Sequence, residues 1–419
     1  MKRYFFPGLI GALLLVLGAR AAAQDEDQTL RLAIGDPQFK DRTLEIQAGQ
    51  IVSSALGRSV SWESMAEDLA RVKFIYIGET HNSLPNHDLQ FRILQALSQK
   101  DANLALGLEM FPSASQEVLN KWSLGLFTEE EFLREARWYT AWNYHWGFYR
   151  RIFGLAKERS IPLRALNVER DIITKVRMKG WEGLSDEEKA LVPKPDLSNG
   201  DHRALMKAVF SAQEMPPQMK GAGFEDVFEG LYRAQSAWDE VMAANTLLAS
   251  AEGKRRVVVL AGSGHLLYNL GINRRVYEKN RLPFRTVVCV TVPKGRSSLI
   301  VSRTLADYIC GLSEEERPAY PSLGLRLRTV AGLTNLVIES KPVEGAAVGQ
   351  DFEKGDVILA VNGKTYTDIN ELRLDLAVFS WGQEAKFKLL RAGEVREVTL
   401  RIIPPPPKAG LEIKEDRNR

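Results

Sequence analysis

Short apolar runs, each closed by glycine or a polar residue, recur along most of the chain. Phe74-Ile75-Tyr76-Ile77 is the plainest: four residues, mostly β-branched or aromatic, stopped by Gly78. Such a run predicts a short strand buried on both faces. Leu104 to Leu108, Ile161 to Leu166, Arg256 to Ala261 and Thr286 to Val292 repeat the pattern. Between them the apolar positions recur at helical spacing. Ser61 caps a helix through Leu69, and Ser83 with Pro85 opens another whose apolar face holds Leu89, Ile93, Ala96 and Leu97. Helical patterns fill 113–160 and 171–250, with Pro- and Gly-containing breaks near 193–200 and 216–223. Apolar alternation from Leu44 to Val60 predicts an edge hairpin or strand. Strands alternating with helices predict an α/β fold, a parallel sheet with helices on both faces.

Past residue 318 the pattern changes. Val337-Ile338, Val357 to Val361, Lys386 to Leu390 and Glu394 to Ile402 read as strands between glycine turns, with one helix over 369–378. This predicts a second, small, mainly-β domain over 320–403, joined to an α/β domain over 44–295 by a linker at 296–319. Residues 24–43 read as a polar lead-in and 404–419 as a disordered charged tail after Pro404 to Pro407.

The first residues read as a signal peptide. Lys2 and Arg3 precede the apolar run Pro7 to Gly18, and Ala21-Ala22-Ala23 supplies small residues for cleavage after Ala23. The run is short for a bilayer span, so export to the periplasm or beyond is expected rather than a membrane anchor. The formal charge is +3; losing Lys2, Arg3 and Arg20 brings it to zero. A neutral mature chain argues against a general nucleic-acid binder. Two cysteines, Cys289 and Cys310, exclude a disulfide-dense scaffold and leave either one bridge or two thiols.

Candidate chemistry gathers at the strand ends. Glu79 and His81 follow the first run, Glu109 the second, Asn167 and Arg170 the third, and His265 the fourth. A parallel sheet points all four ends the same way, where α/β folds bind ligands. Histidine beside carboxylate suits a divalent metal or a general base held by an acid. Imidazole and tyrosinate are also axial ligands of haem iron. A helix starting after Gly264 would set His265 and Tyr268 on one face. The aromatic run 138–149 fits core packing or the apolar wall of a flat cofactor. His87 and His145 fit solvated or core positions better than ligand positions. No His-Glu-x-x-His, P-loop or Gly-x-Ser-x-Gly motif is present.

Phe74 to His81, Gly107-Leu108-Glu109-Met110-Phe111, Ala165-Leu166-Asn167, Gln235 to Glu240 and Ala261 to Leu266 together resemble the ChaN-like haem-binding uptake family of the Tiki superfamily. The resemblance implies an α/β domain that binds haem, often as a homodimer, in iron acquisition. His265, Tyr268 and His81 are then candidates around the iron, with Tyr268 or His265 its ligand. Glu79, Glu109, Asn167 and Arg170 form the polar rim. The superfamily's paired Gly-x-x-His motifs, matched by Gly78 to His81 and Gly262 to His265, imply an alternative: a metal-dependent hydrolase or protease using Glu79, His81, Glu109 and His265 around a divalent ion. The chain lacks the lipidation cysteine that many ChaN-like proteins carry. Lys354 to Gly363 resembles the PDZ signature, and Ser322-Leu323-Gly324-Leu325 its carboxylate-binding loop. That resemblance implies capture of a protein partner's C-terminal peptide by Leu323, Gly324 and Leu325.

Overall fold

The computed structural model describes residues 28–211, 223–251, 253–330 and 335–404. The expected signal peptide and nearly all of the expected tail lie outside the described residues. Two compact units are present. One runs through Phe132 and resumes over Phe148–Glu316; the other combines Leu133–Gly147 with the chain from Arg317 onward.

The first unit is built on β1 (Thr43–Ile46), β2 (Ile51–Ser53), β3 (Arg58–Val60), β4 (Phe74–Glu79), β5 (Leu104–Pro112), β6 (Leu163–Asn167), β7 (Arg256–Gly262), β8 (Phe284–Val292), β9 (Leu299–Ser302) and β10 (Tyr308–Ser313). Its main sheet runs β3-β2-β10-β8-β4-β7-β5-β6, parallel from β10 to β6, with the β2–β3 hairpin antiparallel at one edge. β4 lies inside the sheet and is buried along its whole length, as four consecutive apolar residues require. The helix Phe224–Ala249 sets Ala234, Ala237, Trp238 and Val241 against Tyr76, Val257 and Val259 on one face. A side chain the size of Val241, Val257 or Val259 withdrawn from water in this way contributes about 1.5–3 kcal/mol. The edge strand β6 is closed by a side chain: Gln116 Oε1 accepts from Ala165 N at 3.0 Å, and Gln116 Nε2 donates to Leu163 O at 2.8 Å. Ser61 caps the helix Trp62–Leu69 as expected, its Oγ accepting from Ser64 N at 3.2 Å.

Three expectations are corrected here. The stretch 296–319 is not a plain linker, since it holds β9 and β10, and β10 inserts between β8 and β2. Charged residues on either side of these short strands hide their apolar pattern. The lead-in is packed where it is described: Ser302 N donates to Leu30 O at 2.7 Å, and Ile34 is buried. No α-helix starts directly after Gly264; the 3-10 turns Ser263–His265 and Leu267–Asn269 stand there, with φ of 58° at Tyr268. Cys289 and Cys310 are two thiols facing each other across the β8–β10 register.

The second unit is an antiparallel sheet of β11 (Leu327–Arg328), β12 (Leu336–Ile338), β13 (Val357–Val361), β14 (Glu384–Arg391) and β15 (Glu394–Arg401), in that order. The helix Ile369–Leu376 is capped by Asp368, which accepts from Asn370 N at 2.6 Å. It packs Leu372 and Leu376 on Phe352, Phe387 and Leu400. Among the described residues no helix is long and apolar enough to cross a membrane.

Candidate functional site

β4, β7, β5 and β6 are neighbours, and their register aligns Glu79 with Gly262. The ends of these strands therefore lie side by side, with Glu79 and Glu109 inside their strands rather than after them. The turn Ser263–His265 then brings His265 over the end of β7. Gly78 permits this approach, because a Cβ there would lie 2.8 Å from Ser263 Oγ.

Two imidazoles are held in the same way. His81 Nδ1 lies 2.8 Å from Glu79 Oε1, and His265 Nδ1 lies 2.6 Å from Asp239 Oδ1. A carboxylate at Nδ1 fixes the tautomer and aims Nε2 away from it. His265 Nε2 is 3.5 Å from Glu109 Oε1. A Cβ on Gly262 would sit 3.2 Å from His81 Nε2 and 3.6 Å from Glu109 Oε2, so both rings converge on the Glu109 carboxylate. Gly262 N donates to Glu109 Oε2 at 2.5 Å.

Each carboxylate has its own support. Glu79 accepts from Tyr149 Oη at 2.5 Å and from Gln90 Nε2 at 2.6 Å, and His87 Nδ1 lies 3.7 Å from its Oε2. His87 Nε2 is 3.1 Å from His81 O, so His87 braces the site rather than standing in solvent. Behind His265, the helix Phe224–Ala249 supplies Gln235, 2.8 Å from Nδ1, as well as Asp239. Arg275 Nη1 lies 3.4 Å from Asp239 Oδ2, and the fully buried His202 lies 3.3 Å from the same oxygen.

Burial disfavours every one of these charges, and at Glu79, Glu109, His81 and His265 the opposite charges prevail. Burial would raise the Glu79 carboxyl, but His87 and the bonded His81 hold it down at about 2. Glu109 is likewise lowered against burial by His265 and His81. Burial would lower His265, but Glu109 and the bond to Asp239 hold it up at about 10. His81 is raised against burial by Glu79 and Glu109. His202 is lowered, burial outweighing Asp239. The cluster thus favours ionised carboxylates at Glu79 and Glu109 and the protonated form of the two rim histidines, an arrangement suited to giving and taking protons.

The remaining expected residues lie outside the cluster proper. Asn167 Nδ2 donates to Glu109 O at 3.1 Å, fixing the β5 backbone rather than presenting its amide. Arg170 is exposed at the start of the helix Arg170–Lys179. Tyr268 is buried, and its Oη donates to Thr29 O at 2.7 Å and accepts from Leu32 N at 2.9 Å. Its hydroxyl ties down the N-terminal segment, and burial pushes its pKa far up, which opposes tyrosinate formation. Among the described residues no group of three His, Cys, Asp or Glu side chains is arranged to hold a metal ion. In the second unit, Gly324 has φ of +73°, and a Cβ there would lie 1.7 Å from Glu344 O, so the loop Ser322–Leu325 needs glycine. Leu323 and Leu325 rest half-buried on that unit's core.

Asp239, Gln235, Arg275 and Tyr149 were not singled out from the sequence for this role. A signal existed for the first two: Gln235 and Asp239 stand four apart on a helix whose surrounding positions are mostly apolar.

Residues 65–276 match the haem-binding uptake family, Tiki superfamily, ChaN, and residues 321–402 match the PDZ domain. A ChaN of Campylobacter jejuni, solved with cofacial haem, is 20% identical; the match covers 62% of this chain and 95% of that one at a TM-score of 0.50. At that identity the likeness shows the fold. An HtrA-type protease, AlgW, solved with a decapeptide, is 22% identical over 23% of this chain and 33% of its own, at a TM-score of 0.20. Protein RETICULATA-RELATED 5, chloroplastic, of Arabidopsis thaliana is 24% identical over 233 residues, 52% of this chain; the match spans 31% of that protein's length.

Proposed function

Because the chain belongs to the ChaN haem-binding uptake family of the Tiki superfamily and carries a PDZ domain, we propose that it is an exported haem-binding protein that docks to a protein partner. The observation that supports this most is His81, whose Nδ1 is held by the buried Glu79 so that the ring has a fixed orientation at the strand ends. A ligating histidine has that arrangement, since the carboxylate fixes the ring and raises its basicity. His81 is preferred to His265 because its side chain is the more exposed, 15% against 8%. Tyr268 is withdrawn as a ligand, its hydroxyl being spent on Thr29 and Leu32. Bound haem would supply an iron centre for uptake. Glu79 holds the ring that meets it, Gly262 leaves space beside that ring, and the exposed Arg170 is suited to a propionate.

The PDZ domain would take the C-terminal carboxylate of a partner on the loop Ser322–Leu325, the peptide adding a strand at the open edge of β11. Export would follow cleavage after Ala23. An absorption titration of the purified chain with haem tests the reading. A saturable Soret shift in the wild type that weakens at least tenfold in His81→Ala is expected; no shift would overturn it.

One observation favours a second reading. Glu79, His81, Glu109 and His265 do converge, as a hydrolase of the superfamily's metal-dependent kind would need. In this arrangement they pair with one another. Chelator-sensitive peptide hydrolysis lost in Glu79→Gln would favour that reading over haem.

A further inference from the structure

Residues 133–147 leave the α/β unit and return to it, yet their packing belongs to the PDZ unit. Two forked ion pairs hold them to the helix Ile369–Leu376 and its cap. Arg134 Nε and Nη2 lie 2.8 and 3.3 Å from the two oxygens of Glu371. Arg137 Nη1 and Nη2 lie 3.0 and 3.3 Å from those of Asp368. Arg373 donates to the Tyr139 carbonyl, and His145 Nε2 lies 2.7 Å from Ala377 O. The His145 ring stacks on Tyr320 at 4.0 Å and 12°. Gly147 is pressed against the same tyrosine, for a Cβ there would lie 2.3 Å from Tyr320 Cζ. Trp138 and Trp146, buried and edge-to-face at 4.9 Å, stiffen the segment from within.

Both ends of this segment are rooted in the α/β core. Phe132, just before it, packs on Trp122 at 4.6 Å and Phe153 at 5.5 Å. Phe148 and Tyr149, just after it, pack on His87 at 5.5 and 4.3 Å. Tyr149 Oη is the donor that reaches Glu79 Oε1 at 2.5 Å. A residue bonded to the carboxylate behind His81 is therefore two positions from the last residue of a segment clamped by the PDZ unit. Close-packed aromatic segments shift between discrete arrangements rather than deforming smoothly.

We propose that residues 133–147 are a strap through which the state of the PDZ helix Ile369–Leu376 sets the Tyr149–Glu79–His81 arrangement, and so the affinity of the haem site. The proposal rests on the haem reading above for its ligand. The strap is releasable, because its ion pairs are half-exposed and such pairs are individually weak. A partner peptide that displaces the helix would loosen haem, and haem would by reciprocity alter peptide capture.

The test is Arg134→Glu in the full chain, with Glu371→Arg added to restore the pair in reverse. Haem affinity is read by absorption titration, and hydrogen exchange is read at 79–83 and 148–153. Release of the strap is expected to weaken haem about fivefold or more and to speed exchange in both segments. The swapped pair restores both, and in a Tyr149→Phe background Arg134→Glu adds no further loss of affinity. Unchanged affinity and exchange in Arg134→Glu, or a loss that the swap does not restore, would overturn the strap. If the wild type binds no haem, the haem reading fails by itself and the exchange data still decide the strap.

Discussion

Replacing Glu109 by Gln removes one charge from the centre of the site and keeps its shape. Glu109 Oε1 lies 3.5 Å from His265 Nε2. At an effective dielectric of about 20, two unit charges at that separation attract by about 5 kcal/mol. That is equivalent to roughly three and a half pKa units, so His265 should fall from about 10 to about 6.5. The amide oxygen of Gln can still accept from Gly262 N, which keeps the β7 end in place. Histidine-labelled NMR titration of the full chain, with five ring signals and His265 assigned by substitution, reads the value directly. Stability follows with a definite sign. The folded pKa of His265 is raised above its ordinary 6.5, so its contribution is complete below 6.5 and is lost as pH rises through 10. The wild type should therefore lose stability across that window, and Glu109→Gln should lose much less. A His265 pKa that stays above about 9 in Glu109→Gln would refute the electrostatic reasoning.

Three further outcomes are expected. Glu79 is lowered from 4.5 to about 2, so its contribution is present above 4.5 and is lost as pH falls through 2; urea unfolding between those values should show an acid limb that Glu79→Gln flattens. Gly262→Ala would place a Cβ 3.0 Å from His81 Cε1, so haem affinity should drop steeply while unfolding free energy falls by only about 1–3 kcal/mol, measured by titration and urea melt on one sample. Gly324→Ala combines φ of +73° with a clash on Glu344 O, and should abolish binding of a peptide with an apolar C-terminal residue while leaving the haem titration unchanged.

The sheet and its rim were legible because β4 and β7 are continuous apolar runs, and a parallel sheet sends their ends one way. Ser61 announced its helix through cap chemistry alone. The partners behind the histidines were harder to read. Asp239 and Gln235 come from the helix Phe224–Ala249, and nothing local shows which of its buried polar side chains will face a histidine some 30 residues away. Tyr268 misled for a related reason. Three residues from His265 is one helical turn only if a helix forms, and positive φ at Tyr268 sends its hydroxyl to the N-terminal segment instead. The strands at 299–302 and 308–313 are short and flanked by charge, so tertiary pairing with β1, β2 and β8 decides them more than their own pattern does. The aromatic run proved to be core for the most part, but core of two units: Trp138 and Trp146 on one side, Phe148 and Tyr149 on the other.

The central claim is that a carboxylate-backed imidazole at His81 ligates haem iron. Resonance Raman spectroscopy of the ferrous haem complex observes that bond directly through its iron–imidazole stretch. The account predicts a stretch characteristic of a strongly hydrogen-bonded imidazole in the wild type, retained in Tyr268→Phe and His265→Ala, shifted in Glu79→Gln and lost in His81→Ala. A stretch that survives His81→Ala, or tyrosinate modes in the ferric complex that vanish in Tyr268→Phe, would contradict it.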